Sequence, residues 1–387
     1  MRRQLRILLI LALTQITGWG TIGVLPVIAP PVAASFGSDL PSVFLGTSVM
    51  FVAMGLAAPW AGRAFRRFGP RWAMVVGAAG IGLGQGLLAL SPNLAVFWTA
   101  WALIGGAGAL FLTTAAYAYI ADHAGESARS LIGTLMLVTG LAGSVFWPIT
   151  AFLEHLVGWR GVGVVYAAVM ILIVCPLVRF GLPATHAATS VTSAAGQLRK
   201  APVFLLMVAA IALNGFVTFG IDALGIQLLQ AMGLDLAGAV AIASLMGVFK
   251  VGGRVIDLLG GRRWDGLSTG LVAGAMIPMG LAVIGIGGSG PVSVGGYLVL
   301  FGLGSGAFAV ARATMPLVFF QKADYAAAIS SIALPLNLIN ALAPPVLAGL
   351  MSGFGPQATF AVLGALSVTA LAILLLLNRM RAIPPSS

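Results

Sequence analysis

Charged side chains are scarce in this chain of 387 residues. Asp, Glu, Lys and Arg together make up 7% of it, against about 25% in a typical soluble domain. Acidic residues are the scarcer class, with 9 against 20 basic ones, which leaves a net charge of +11. Because a soluble fold of this length needs a much larger polar surface, the composition excludes an ordinary soluble protein.

Cysteine and the motifs of enzymes are also missing. The single cysteine, Cys175, excludes a disulfide within the chain and a thiolate metal cluster. The three histidines lack the spacing of metal ligands, and no Gly-Lys-Ser/Thr phosphate loop is present. The sequence therefore predicts a protein that is not an enzyme, holds no metal or other cofactor, and does not use ATP directly.

Long apolar runs dominate what is present, since apolar residues make up 60% of the chain. Runs of about 20 residues are long enough to cross ~30 Å of hydrocarbon as helices, whereas barrel strands would be shorter and would alternate. The sequence predicts an all-α membrane protein with twelve transmembrane helices. The predicted spans are roughly 6–34, 41–61, 72–91, 94–121, 130–153, 160–181, 203–231, 236–258, 265–288, 292–320, 326–352 and 357–379.

The basic residues indicate the orientation of these spans. With a cytoplasmic N-terminus, 19 of the 20 basic residues fall on the cytoplasmic half and only Arg160 falls outside. This distribution follows the positive-inside rule. We therefore expect a multi-pass protein of the cytoplasmic (inner) membrane of a bacterium, monomeric, with both termini in the cytoplasm. The basic balance indicates contact with anionic lipid rather than with nucleic acid.

An internal repeat divides the chain into halves. The segment Gly62–Trp72 recurs 191 positions later as Gly253–Arg263, in each case as a basic turn between two long apolar runs. Such a repeat is typical of transporters built from two related halves. The sequence predicts two pseudo-symmetric six-helix bundles, residues 1–181 and 202–387, joined by a cytoplasmic linker at residues 182–201.

Twelve spans, a central loop and the pattern Gly-x-x-x-Asp-x-x-Gly-x-Arg-Arg after the eighth span resemble the major facilitator superfamily. The resemblance implies a gating motif in each half, with Asp257 as an acid that helps to hold the cytoplasmic side closed. Arg66 stands where the family usually has that acid, which puts the lock of the first half in question. The implied gating residues are Gly62, Arg63, Arg67, Gly69, Arg71, Gly253, Arg254, Asp257, Gly260, Arg262 and Arg263.

Two further segments carry a narrower resemblance. Phe146-Trp147-Pro148 and the turn Gly158-Trp159-Arg160 are similar to bacterial transporters near the monocarboxylate and oxalate–formate branch. The resemblance implies a secondary active transporter whose halves expose one midplane site alternately to each side of the membrane.

Charges deep inside predicted spans are the strongest candidates for function. A charge at mid-membrane costs about 2.5–3.5 kcal/mol and usually faces a cavity. We expect Arg312 to bind an anionic group of the substrate, although it could instead snorkel or cap a neighbouring helix. We expect Asp222 to couple transport to protons, although it could simply face the outer vestibule. Lys250, four residues before Arg254, is assigned to the basic hinge.

Neutral polar side chains also lie at mid-depth in several spans. They could line one shared substrate cavity, or they could only hydrogen-bond neighbouring helices. The candidate substrate-binding residues besides Arg312 are Gln15, Trp19, Thr113, Tyr117, Asn214, Asn337 and Asn340.

These patterns predict a secondary active transporter that moves a small organic solute across the membrane, driven by protons. Few charges lie inside the predicted spans, which argues against a highly charged substrate such as a di- or tricarboxylate. A monocarboxylate-like anion, another modest organic solute and an apolar drug are left open as substrates. One alternative is an efflux pump for drugs or toxic compounds with the same fold. An alternative of another class is a non-transporting membrane sensor or scaffold, which a counterflow assay in liposomes would identify. The direction of transport is left open.

Overall fold

The computed structural model describes residues 2–124, 128–183, 202–260, 265–319 and 325–381. These residues are helical throughout apart from short turns, and no strand occurs among them, which confirms the all-α prediction. The chain forms two compact units, Met1–Val191 and Thr192–Ser387.

The helices of the first unit follow one another with few intervening residues. They are α1 Arg2–Ile22, α2 Leu25–Phe36, α3 Leu40–Phe68, α4 Pro70–Ala89, α5 Leu94–Phe111, α6 Thr113–Ala124, α7 Ala128–Thr139, α8 Ala142–Ala168 and, after a π-helical turn at Val169–Val174, α9 Cys175–Gly181. Those of the second unit are α10 Pro202–Ala231, α11 Leu236–Gly260, α12 Gly266–Gly287, α13 Pro291–Thr314, α14 Pro316–Phe319 and α15 Tyr325–Arg379.

Among the described residues, ten helical segments are long and apolar enough to cross a membrane. Large apolar side chains such as Leu83, Phe152 and Ile286 are exposed along these helices in both units. In water such a surface would be costly, whereas lipid tails are as apolar as the side chains themselves. The chain is therefore a multi-pass membrane protein.

Two of the ten segments are about twice as long as one crossing requires. Thr134–Gly181 has 48 residues and Leu338–Arg379 has 42, whereas about 20 suffice for one span. Each contains a glycine with a positive φ, Gly158 with φ of 67° and Gly355 with φ of 82°. Glycine adopts these angles without a clash of its own. The two kinks lie 197 positions apart, so they occupy corresponding places in the two halves.

Glycines bring helix backbones into direct contact within each unit. A methyl group on Gly105 of α5 would overlap the backbone of Met50 on α3. A methyl group on Gly253 of α11 would overlap the carbonyl oxygen of Leu303 on α13, and one on Gly306 would overlap that of Lys250. These contacts give the glycine clusters a packing role, as expected of helices in a membrane.

The first copy of the repeated motif is more helical than the expected basic turn. Helix α3 continues to Phe68, and only Gly69, with φ of 80° and ψ of 153°, leaves helical geometry before α4 begins. Arg63 and Arg67 therefore lie on the last turns of a helix rather than in a loop. In the second copy, α11 runs to Gly260. Arg262, Arg263 and the side chain of Asp257 lie outside the described part of the chain.

Candidate functional site

Three helices of the first unit are interrupted within their apolar segments. The interruptions lie at Gly23–Val24 between α1 and α2, at Leu112 between α5 and α6, and at Gly140–Leu141 between α7 and α8. An interruption frees backbone polar groups, which hydrocarbon cannot satisfy. Such irregular backbone is therefore tolerated only inside the protein or beside a polar cavity, and in transporters it commonly marks the binding site.

Two side chains of α1 bind at the Leu112 interruption. The backbone nitrogens of Ala115 and Ala116 both donate to Leu112, so the carbonyl of Phe111 lacks its usual helical partner. Gln15 Nε2 donates to that carbonyl at 2.8 Å. Because the amide nitrogen must face a carbonyl, the orientation of the Gln15 amide is fixed. Its Oε1, fully buried, has no hydrogen-bond partner among the described residues.

The neighbouring contact joins two other predicted site residues. Trp19 Nε1, one turn after Gln15, donates to Thr113 Oγ1 at 2.9 Å. Tyr117 follows one turn later on α6 and is half-buried. The structure thus brings Gln15, Trp19 and Thr113 together at one interruption, and Tyr117 lies on the helix that continues from it.

Two further side chains stabilise the interruption at Gly23–Val24, and sequence reasoning missed both. Gln85 Nε2 on α4 donates to the carbonyl of Thr21 at 2.7 Å. Trp147 Nε1 on α8 donates to the carbonyl of Gly23 at 2.9 Å. The available signal was that Gln85 is the one amide side chain in the predicted span 72–91.

The second unit contains an ion pair between two of its helices. The ammonium of Lys250 on α11 contacts the carboxylate of Asp222 on α10. The Lys250 side chain is 17% exposed and that of Asp222 is 38% exposed. The ring of Tyr297, almost fully buried, lies within electrostatic range of Asp222. The sequence places Lys250 with the basic hinge, but the structure directs its charge into the unit, towards an acid 28 positions earlier.

The side-chain amide oxygens of Asn214 and Asn340 in the second unit are buried without a hydrogen-bond partner among the described residues. Asn214 is fully buried, and its Nδ2 donates to the carbonyl of Ala210 in its own helix at 3.3 Å. Asn214 Oδ1 and Asn340 Oδ1 accept no hydrogen bond there. The hydrogen bond from Asn214 to Ala210 therefore stays within α10 and does not join it to another helix. The side chain of Asn337 lies outside the described residues.

Asn214 and Asp222 belong to one stripe along α10. Thr218 lies between them, so the three residues follow at intervals of four and share one face of the helix. The Thr218 hydroxyl donates to the carbonyl of Asn214 at 2.8 Å. The stripe extends from a fully buried amide to a partly exposed carboxylate.

Arg312 lies in the last turn of α13 and is half-buried. A positive charge at this end of a helix interacts favourably with the helix dipole. The position fits the capping alternative that the sequence left open, and substrate binding by Arg312 stays a prediction.

The gating residues make local contacts in the first unit. Arg71 Nη1 donates to the carbonyl of Leu182 at 3.1 Å, where the last helix of the unit has ended. The guanidinium of Arg67 lies 5.2 Å from the ring centroid of Phe68. Arg254 in the second unit is half-buried. Their role in gating stays a prediction.

Comparison with known proteins gives one family. The model of the Major Facilitator Superfamily matches residues 8–306. One relative, an uncharacterized MFS-type transporter YcxA of Bacillus subtilis (strain 168), is 25% identical over 153 residues. That match spans 39% of this chain and only 38% of the relative.

Solved structures of transporters share the fold. A bacterial homolog of the human lysosomal transporter Spinster, inward-facing and unoccupied, has a TM-score of 0.79 at 16% identity, with 99% of each chain covered. The nucleoside transporter NupG has a TM-score of 0.80 at 13% identity, over 97% of this chain and 99% of its own. The human organic anion transporter MFSD10 has a TM-score of 0.67 at 16% identity, over 96% and 99%.

Proposed function

The chain belongs to the Major Facilitator Superfamily, and on that premise we propose that this membrane transporter carries small monovalent organic anions together with protons. The observation that carries the proposal is the ion pair between Asp222 and Lys250 inside the helices of the second unit. Transport proceeds by alternating access, in which the binding site opens to one side of the membrane at a time.

The proposal includes twelve transmembrane spans with both termini in the cytoplasm. The kinks at Gly158 and Gly355 divide the two long segments, so that the ten apolar segments become twelve spans. The basic residues orient both termini towards the cytoplasm of a bacterium, with the protein in the inner membrane as a monomer.

Electrostatics explains why Lys250 needs an anion beside it. An isolated charge at the centre of a bilayer costs about 2.5–3.5 kcal/mol, whereas a contacting pair is neutral overall. Lys250 is the more enclosed partner, so loss of the Asp222 charge leaves a cation with little access to water. The cost stays below that of a fully buried pair because Asp222 is 38% exposed. That exposure also lets protons reach the carboxylate.

The pair supports a transport step in which charge balances. A proton binds the Asp222 carboxylate and neutralises it, which releases the Lys250 ammonium. The carboxylate of the incoming solute then takes the place of Asp222, so one positive and one negative charge have entered together. When the solute leaves on the other side, the uncompensated Lys250 favours loss of the proton from Asp222, and the pair forms again. A dianion would leave a net negative charge, so a monoanion fits the site best.

Uptake of radiolabelled acetate, lactate and hexanoate into proteoliposomes tests this proposal, with an inward proton gradient and protein-free liposomes as the measure of passive entry. We expect accumulation of at least one of these monocarboxylates by the wild type. Asp222→Asn mimics the protonated acid, so it should keep exchange at equal concentrations and lose accumulation. Lys250→Gln should lose both activities.

Controls separate coupling from folding. Asp235 lies before α11, where its carboxylate accepts from the Gly238 backbone at 3.1 Å, so Asp235→Asn should keep accumulation. The double variant Asp222→Asn/Lys250→Gln removes both charges and should be more stable than Lys250→Gln alone, because no unpaired charge remains. If the wild type accumulates none of the acids, the proposed function is wrong. If Asp222→Asn still accumulates one, Asp222 is not the coupling residue.

A further inference from the structure

Resting on the proposed function, we propose that the transported monoanion also carries a hydrogen-bond donor, a hydroxyl or N–H group, far from its carboxylate. Asn214 and Asn340 accept that donor while Lys250 holds the carboxylate. The solute is then a chain with an anionic end and a donor end, bound along the second unit.

The Asn214 amide is fully buried and held in one orientation. Its nitrogen is committed to the carbonyl of Ala210, so the amide cannot turn over, and the atom left without a partner is the acceptor oxygen. A buried acceptor that makes no hydrogen bond costs about 1–3 kcal/mol. The contacts between helices do not offset this cost among the described residues, because the hydrogen bond from Asn214 to Ala210 lies within α10.

A second acceptor lies close by on α15. Asn340 Oδ1 is buried without a described partner, and it would lie 3.5 Å from a methyl group placed on Gly215. Gly215 is the neighbour of Asn214 in the chain. Two buried acceptor oxygens from packed helices thus lie beside consecutive residues of α10, where an O–H or N–H group of the solute can donate to either of them.

The stripe on α10 sets the distance between the two ends of the solute. Asn214 and Asp222 are eight residues apart, which is about 12 Å along the helix axis. A donor on the carbon next to the carboxylate is too close to reach Asn214 while the carboxylate contacts Lys250. A donor at the far end of a short aliphatic chain spans the gap.

Three six-carbon acids test the inference: hexanoate, ω-hydroxyhexanoate and α-hydroxyhexanoate. Their dissociation constants would be measured by titration calorimetry with the purified protein. The wild type and Asp222→Asn would be titrated at the same pH. We expect ω-hydroxyhexanoate to bind about ten-fold more tightly than hexanoate, because an unmade hydrogen bond to a buried acceptor is costly. The α-hydroxy isomer should gain nothing over hexanoate.

Asn214→Leu keeps the branched shape of the side chain and removes the acceptor, so it should weaken binding of ω-hydroxyhexanoate and bring the ratio close to one. Asn340→Leu should act in the same direction and provides the test if Asn214→Leu does not fold. Ser367→Ala is the matched control, since Ser367 is fully buried on α15 but its hydroxyl already donates to Gly364 at 2.9 Å. It should leave the ratio unchanged.

The outcomes distinguish this inference from the proposed function. If proton-driven accumulation of monocarboxylates occurs but the wild type binds hexanoate and ω-hydroxyhexanoate alike, the inference is wrong and the transport function stands. An unchanged ratio in both Asn→Leu variants would overturn it equally. If no monocarboxylate is accumulated at all, the proposed function fails, and this inference fails with it.

Discussion

Lys250 has a long aliphatic stem, and its ammonium reaches a carboxylate on another helix. The close contact of its backbone with α13, made possible by Gly306, holds the start of that stem in place. Asp222 is the more exposed partner, so the pair has one enclosed charge and one that water can reach. In the proposed mechanism, this asymmetry favours Asp222 as the group that takes the proton and Lys250 as the group that receives the anion.

Asp39 allows a test of charge at a helix end outside the apolar segments. Its carboxylate accepts from the backbone nitrogen of Ser42 at 2.9 Å and caps α3. Hydrogen bonds from Ser42, first from the hydroxyl and then from the backbone, lower the pKa of the Asp39 carboxyl below its ordinary value of 3.8. The pKa of Asp39 is thus lower in the folded protein than in the unfolded chain. The charged cap therefore contributes its full stability to the folded protein above the unfolded-state pKa, and this contribution is lost as the pH falls through the folded-state pKa.

We therefore expect Asp39→Ala to cost about 1 kcal/mol of stability at neutral pH and less at about pH 3. Asn93 is the matched control, because its amide oxygen caps α5 through the Val96 nitrogen at 3.0 Å and carries no charge. Asn93→Ala should cost a similar amount at both pH values. Thermal unfolding of the purified protein measures both. Equal losses for Asp39→Ala at the two pH values would contradict the role given to its charge.

Sequence reasoning found polar residues that are unexpected in an apolar run, but it did not predict which of them contact each other. Gln15, Trp19 and Thr113 were predictable because each is a polar or amphipathic group at mid-depth. The pairing of Lys250 with Asp222 was not, because its partner lies on another helix and Arg254 stands only four residues away. The short distance along the chain to Arg254 favoured assigning Lys250 to the basic hinge, whereas the packing of α10 against α11 brings its ammonium to Asp222.

At the scale of helices, the interruptions in the first unit depend on contacts between helices, which a prediction of spans does not contain. The fourth span was predicted at roughly 94–121 as one helix, and it forms as α5 and α6 with Leu112 extended between them. No glycine or proline stands at that position to signal the change. The contacts of Gln15 and Trp19, about 95 residues away in the chain, stabilise it instead.

Gly253 gives the clearest test of helix contact. A methyl group there would overlap the carbonyl oxygen of Leu303, so Gly253→Ala must push α11 and α13 apart. We expect a loss of about 1–3 kcal/mol and a lower melting temperature. Gly364 on α15 is the control, because a methyl group there meets nothing within 4 Å. Gly364→Ala should be neutral or slightly stabilising. Equal melting temperatures for the two variants would show that this contact does not limit the stability of the unit.

A second sequence repeat shows how closely the halves correspond and where they differ. Thr17–Gly23 and Asn214–Gly220, 197 positions apart, share the pattern x-Gly-aromatic-x-Thr-x-Gly. Thr21 donates to the carbonyl of Gly18 at 3.1 Å, and Thr218 reaches that of Gly215 at 3.4 Å. Yet the first unit interrupts its helix at the end of this segment, whereas α10 continues through it. The two halves thus share a sequence pattern and a local hydrogen bond here but differ in whether the helix continues.

For the whole molecule, composition and apolar periodicity were enough to predict the helical membrane fold, and the repeated basic motif was enough to predict the family. The substrate was not predictable, because the residues that would recognise it are few and their chemistry depends on which polar atoms remain unpaired after packing. That information exists only in three dimensions, in the buried oxygens of Gln15, Asn214 and Asn340.

In the proposed mechanism, one proton enters with each monovalent anion, so that no net charge crosses the membrane. The most direct test is the accumulation of the transported monocarboxylate in proteoliposomes under a fixed proton gradient, with the membrane potential clamped by potassium and valinomycin at zero or at about 100 mV, inside negative. A net charge of one would change the accumulation ratio by about 2.3 kcal/mol, or roughly fifty-fold, per 100 mV. We expect the same ratio at both potentials, set by the proton gradient alone. An accumulation ratio that changes with the membrane potential by this amount would contradict the entry of one proton with each anion at Asp222 and Lys250.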